Sequence, residues 1–127
     1  MTVPPLLGGR LAGGDFVLVE WTADATSSAE RPLAPLHVHD RDDEAWYTLA
    51  GTLALRRGDE VLELPASSAA LVPRGVPHTY WNAGGGPARY LLVLTPRIAA
   101  LIAALHEPGA RGDLPGLFAR FASRLVE

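Results

Sequence analysis

The sequence predicts a mainly β protein, a sandwich or barrel, followed by two amphipathic α-helices. Three observations carry that prediction. Between Leu36 and Thr95, short apolar and β-branched runs alternate with breaks rich in Gly and Pro, the pattern of many short strands in a closed or double-layered β fold. After Thr95 the apolar spacing lengthens to three and four residues, which is helical. The chain has 127 residues, 48% of them hydrophobic, enough to bury roughly two-thirds of its unfolded surface in one domain over residues 1–127.

Each element has its own reason. Thr2 to Gly14, rich in Pro and Gly, reads as an extended arm with one short strand near Leu11. Asp15 to Thr22 (DFVLVEWT) is a strand, β-branched and aromatic between turn residues. Ala23 to Pro35 is a polar loop with Ser27-Ser28 and two prolines, and loops of that length often border a site. Strands follow over 36–39, 44–50, 52–56, 60–64, 69–72, 78–82 and 88–95, so the barrel spans about residues 14–95. Thr95-Pro96 caps and opens a helix over 96–107 whose Ile98, Leu101, Ile102 and Leu105 share a face, and Gly109 stops it after Pro108. Asp113 caps a second helix over 114–126, with Leu114, Leu117, Phe118, Phe121 and Leu125 as one stripe. Whether these helices cap the barrel or build a dimer interface is open at this level.

Composition excludes several functions. With no cysteine, there is no disulfide framework, thiolate metal site or cysteine nucleophile. A formal charge of −3 gives no general pull toward nucleic acid or anionic lipid. The start of the chain lacks the basic segment and continuous apolar run of a signal peptide, and no run is long enough to span a bilayer. A soluble cytoplasmic protein, with neither nucleic acid nor membrane as partner, is the expectation.

The chemistry gathers in two short words, His37-Val38-His39-x4-Glu44-x6-Gly51 and Pro73-x-Gly75-x2-His78-x3-Asn82. Side chains alternate along a strand, so His37 and His39 share a face. Asp40-Arg41-Asp42-Asp43 reads as a solvated turn that leads to Glu44 on the antiparallel neighbouring strand, beside the histidines. Trp46 and Thr48 share the face of Glu44, and Tyr80 and Asn82 that of His78. These four form the expected substrate pocket: Trp46 and Tyr80 as lining, Thr48 and Asn82 chiefly as structural hydrogen bonders. Three neutral imidazoles and a carboxylate suit one divalent transition metal, Fe, Mn, Ni, Co, Cu or Zn, without choosing among them. Four protein ligands leave positions open for water, O₂ or a chelating substrate.

Other polar residues read as structural. His106 in the last turn of the first helix is left out of the site, and Glu20 is expected to face solvent. Arg56-Arg57 reads as surface charge, and so in the main does Arg74, with a role greeting an anionic substrate at the rim as the lesser alternative. Ser27-Ser28 lacks a partnered base. Gly84-Gly85-Gly86 precedes a strand, not the helix that a phosphate loop needs.

Together the two words resemble the paired motifs of the cupin superfamily, over about residues 14–97, in the manner of small bacterial cupins similar to quercetin dioxygenase-type members. Two positions depart from the pattern: the glycines that open the motifs are Arg31 and Ser67 here. The resemblance implies a jelly-roll barrel that binds a divalent metal through His37, His39, Glu44 and His78, and a homodimer. It points to a metal-dependent oxygenase acting on a small aromatic or enol-like compound, with Glu44 as a candidate catalytic base as well as a ligand. The superfamily also holds isomerases, cyclases, decarboxylases and non-catalytic metabolite binders, which stand as alternatives because fold does not settle activity.

Overall fold

The computed structural model describes residues 10–126, so residues 2–9 of the expected arm lie outside the described residues. Among the described residues ten strands build two five-stranded antiparallel sheets. The first places β1 (Arg10–Leu11), β2 (Val17–Ala23), β9 (Ala88–Leu94), β4 (Glu44–Ala50) and β7 (Ala69–Val72) side by side in that order. The second runs β10 (Ser123–Leu125), β3 (His37–His39), β8 (His78–Asn82), β5 (Thr52–Arg57) and β6 (Glu60–Pro65). Eight strands lie within a residue or two of their expected bounds, because period-two alternation and turn residues mark both ends of each.

Alternation decides what is buried. Along β4, Glu44, Trp46 and Thr48 turn inward and Tyr47 outward. Along β9, Ala88, Tyr90, Leu92 and Leu94 turn inward. With Val17, Leu53, Leu55 and Val72 they form the core between the sheets, where full burial of each Leu or Val stabilises by about 1.5–3 kcal/mol. Gly51 reverses the chain between β4 and β5 with φ +77°, and a Cβ there would lie 2.6 Å from the Pro87 carbonyl oxygen. Only glycine satisfies both demands.

Helix α1 (Pro96–Leu105) starts as expected, with the Ile98 N–H donating to Thr95 Oγ1 at 3.2 Å, and ends at the His106 cap rather than residue 107. A 3₁₀ turn (Ala110–Asp113) leads into α2 (Leu114–Ala119). Leu101, Leu117 and Phe118 form a second apolar cluster between the helices.

The expected helix over 114–126 is the main correction. It stops at Ala119, Ala122 takes a left-handed conformation at φ +52°, and residues 123–125 become β10, pairing Ser123 with His39 and Leu125 with His37. The apolar spacing is genuine, since Leu114, Phe121 and Leu125 pack on the second cluster. Yet β3 has an open edge whose backbone groups need partners, and a short helix has little stability of its own to resist that demand.

Candidate metal centre and cavity

Strand register brings the first word to the second. His37 pairs directly with His78 between β3 and β8, so the two imidazoles lie side by side, and His39 follows on the same face. Glu44 arrives differently from expectation. It opens β4, which belongs to the other sheet, so residues 40–43 cross from sheet to sheet instead of forming a hairpin. The carboxylate therefore faces the imidazoles across the barrel interior. One ligand atom from each of His37, His39, Glu44 and His78 lies within 4.8 Å of the others, and all four residues are buried.

The outer ring nitrogens set the tautomers. His37 Nδ1–H donates to the Pro35 carbonyl and His78 Nδ1–H to the Val76 carbonyl at 3.0 Å. His39 Nδ1–H donates to Ser123 Oγ at 2.7 Å, and that hydroxyl donates onward to the Phe121 carbonyl at 3.0 Å. Each Nδ1 is spent as a donor, so in the neutral rings each Nε2 presents a lone pair inward. His37 Nε2 and His39 Nε2 stand 3.2 Å apart, and Glu44 Oε1 lies 3.1 Å from His39 Nε2 and 3.4 Å from His78 Nε2. His78 Nε2 is buried without a well-aligned hydrogen bond.

Lone pairs crowded this closely repel unless a cation lies among them, and protons or a metal ion can fill that place. Desolvation, then the neighbouring His78 and His39, push the His37 imidazole down to about 3. Burial opposes ionisation of Glu44, but the side chains of His39 and His78 beside it outweigh that and hold the carboxyl at about 2. At neutral pH the cluster thus offers an unprotonated His37 and an anionic Glu44, the forms a metal ion binds. The donor set, its burial and its orphaned nitrogen all fit a divalent transition ion.

The cluster opens on a cavity of about 250 Å³, walled by both sheets and by α1 and α2, with Trp46, Tyr80, Leu92, Ile98, Leu101 and Phe118 among its lining. Phe118 sits edge-on to His37 at 5.6 Å between ring centroids. The helices therefore close over the barrel beside the site. Trp21 and His106 stack at 5.7 Å on the cavity wall, and Arg111 is the Arg or Lys in its lining.

Of the expected pocket residues, Trp46 and Tyr80 line the cavity, whereas Thr48 and Asn82 do not. Thr48 is fully buried in the core. Asn82 Nδ2 shares its hydrogens among the carbonyls of Ala23, Asp24 and Gly86 at 2.9–3.1 Å, tying the end of β2 to the glycine loop after β8. Glu20 is buried at 7% exposure and paired with Arg89 at 3.3 Å, contrary to the expected solvent position. The expected solvated turn is anchored by arginines: Asp40 to Arg124, buried Asp42 to Arg97 and Asp43 to Arg74. Arg74 is thereby engaged away from the cavity. Ser123, Tyr90 and Arg111 went unnoticed in the sequence, since their importance comes from the path of residues 110–125 and from a cross-strand pairing.

These features define a class: a double-sheet β-barrel with a buried three-histidine, one-carboxylate cluster at the base of an apolar cavity. Residues 29–94 match the Cupin domain family, and the chain belongs to it. A 58-residue stretch is 36% identical to the xanthan biosynthesis protein XanB of Xanthomonas campestris pv. campestris; it covers 46% of this chain and 12% of that protein. Among solved structures, TT1209 from Thermus thermophilus superposes with a TM-score of 0.58 at 27% identity, covering 69% of this chain and 80% of the other. Hydroxypropylphosphonic acid epoxidase from S. wedmorenis shares the fold, with a TM-score of 0.52 at 21% identity over 63% of this chain and 43% of the other. Among the described residues no helix is long and apolar enough to cross a membrane.

Proposed function

We propose that the protein is a metal-dependent oxygenase acting on a small, largely apolar aromatic or enol-like compound. One observation supports this above the rest: three inward Nε2 atoms and the Glu44 carboxylate are grouped within 4.8 Å, and His37, His39 and Glu44 of that group line a cavity walled mainly by aromatic and aliphatic side chains. His37, His39, Glu44 and His78 would hold one divalent transition metal, with Fe, Mn, Ni, Co, Cu and Zn all compatible with nitrogen and carboxylate donors. When bound, such an ion supplies Lewis acidity and open coordination positions at the cavity floor.

The chain's own residues do the rest. Ser123 and the Pro35 and Val76 carbonyls orient the imidazoles. Trp46, Tyr80 and Phe118 give the substrate an apolar seat and exclude water, which strengthens electrostatic interactions at the floor. Glu44, held in its anionic form by its histidine neighbours, supplies the anionic ligand.

The test is an oxygen-electrode assay of metal-loaded protein against a panel of phenols and 1,3-diketones. Metal-dependent O₂ uptake with one of them is expected. Turnover that persists under strict anaerobiosis would contradict the oxygenase reading and favour an isomerase, cyclase or decarboxylase. Saturable binding with no turnover in either atmosphere would favour a metabolite-binding protein.

A further inference from the structure

The cavity wall carries hydrogen-bond donors that the protein leaves unspent. Tyr80 on β8 and Tyr90 on β9 come from different sheets, and their hydroxyls meet at 2.9 Å. That contact uses one of the two O–H protons. Among the described residues neither hydroxyl has another partner, so one O–H remains without an acceptor. Tyr90 is only 4% exposed, and both residues line the cavity that holds the histidines. A second donor lies on the same wall. Trp46 is 1% exposed, and its indole N–H is buried with no partner. The aromatic rings run in a chain from the cluster to the hydroxyl pair: His78 to Trp46 at 5.6 Å, Trp46 to Tyr80 at 5.5 Å, Tyr80 to Tyr90 at 5.6 Å.

Buried donors without acceptors are costly, and native structures rarely keep them without a use. Here all three aromatic residues line the cavity beside the cluster. We propose that the Tyr80–Tyr90 pair is a recognition site for an oxygen of the bound small molecule, a carbonyl, ether or hydroxyl acceptor distinct from the atom that meets the histidine–glutamate cluster. The substrate class is therefore a compact apolar molecule with two oxygen-bearing positions, one directed at the floor and one at the tyrosine wall. Phenol hydroxyls ordinarily stay protonated and neutral at physiological pH. The pair suits an uncharged acceptor, and a ligand anion at this wall would gain no countercharge from it. The inference rests on the cavity's being a small-molecule site, but not on the metal or on oxygen chemistry.

The experiment uses two probes of nearly equal shape, acetophenone and α-methylstyrene, which differ in a carbonyl oxygen replaced by a methylene. Their dissociation constants are measured by ligand-observed NMR on wild-type protein and on Tyr80→Phe/Tyr90→Phe, each as purified and after chelator treatment. The affinity ratio of ketone to alkene should fall by roughly fivefold to tenfold in the double variant, the worth of one neutral hydrogen bond. It should fall equally with and without chelator. An unchanged ratio, failure of both probes to bind wild type, or a ratio change seen only before chelation would overturn the proposal, the last by assigning the ketone oxygen to the metal. Should the double variant not fold, the carbonyl stretch of acetophenone bound to wild type decides: a shift to lower frequency than in hexane is expected, and no shift overturns it. Absence of O₂ uptake, by contrast, would leave this result standing.

Discussion

Ser123 and His39 lie 84 positions apart in the chain, yet the His39 Nδ1–H donates to the Ser123 hydroxyl at 2.7 Å. The bond exists because β10 pairs with β3 and sets Ser123 opposite His39. The end of the chain thereby fixes the tautomer of a histidine in the buried cluster. Partners of this kind orient metal ligands, and losing one typically costs 10–100-fold in metal affinity. Ser123→Ala is expected to weaken Co²⁺ or Zn²⁺ binding by about that factor in competition with a chromophoric chelator. Ser123→Thr, which keeps the hydroxyl, should restore most of it. Unchanged affinity in Ser123→Ala would show that the hydrogen bond is incidental.

Acid should destabilise the metal-free protein. Glu44 has a depressed folded pKa of about 2, so its contribution is fully present above the unfolded carboxylate value and is lost as pH falls from there toward 2. His37 is depressed to about 3. The unfolded chain therefore takes up a proton on this residue near 6.5 that the folded one refuses, and stability drops as pH falls through 6.5 toward 3. Both effects have the same sign. Tm measured in chelator should decline from about pH 7 to about pH 4, and His37→Gln should reduce the part of the slope above about pH 5. A flat wild-type profile would contradict the site's electrostatics.

Ser67 occupies a position where glycine is expected, and it adopts φ +70°. A side chain in that conformation costs about 1–2 kcal/mol, partly offset in a Ser→Gly change by the greater freedom of glycine when unfolded. Ser67→Gly is expected to stabilise by about 0.5–1 kcal/mol, a rise of a few degrees in Tm. A fall in Tm would mean that its hydroxyl or Cβ makes a compensating contact.

Asn82 tests whether a motif residue is structural. Its side chain bonds the backbone of Ala23, Asp24, Gly84 and Gly86. Asn82→Ala should lower stability by about 2–4 kcal/mol in urea unfolding, since several backbone groups lose their partner at once. Metal stoichiometry in the folded fraction should be unchanged. Retained stability with lost metal would place Asn82 in the site instead.

Much of this architecture was legible in the chain. The strands carried alternation and turn residues at both ends, and His37, His39, Glu44 and His78 stood at the spacings of two motifs that resemble those of cupins. What was hidden depended on long-range choices. Nothing local says that residues 40–43 cross between sheets, because a four-residue turn serves a hairpin equally well. Phe121 and Leu125 keep helical spacing although Leu125 ends in a strand, since both pack on the same apolar cluster. Tyr90 looked like one more aromatic in a buried strand until β8 and β9 brought its hydroxyl to that of Tyr80. Glu20 and Asp42 looked solvated because their arginine partners lie far along the chain.

The most direct test is elemental analysis of protein purified without an affinity tag or chelator, beside a His37→Ala/His78→Ala variant of confirmed fold. Near-stoichiometric Fe, Mn, Ni, Co, Cu or Zn in the wild type, absent from the variant, is the predicted result. Wild-type protein that holds no metal, and takes none up when soaked with each of these ions, would contradict the account.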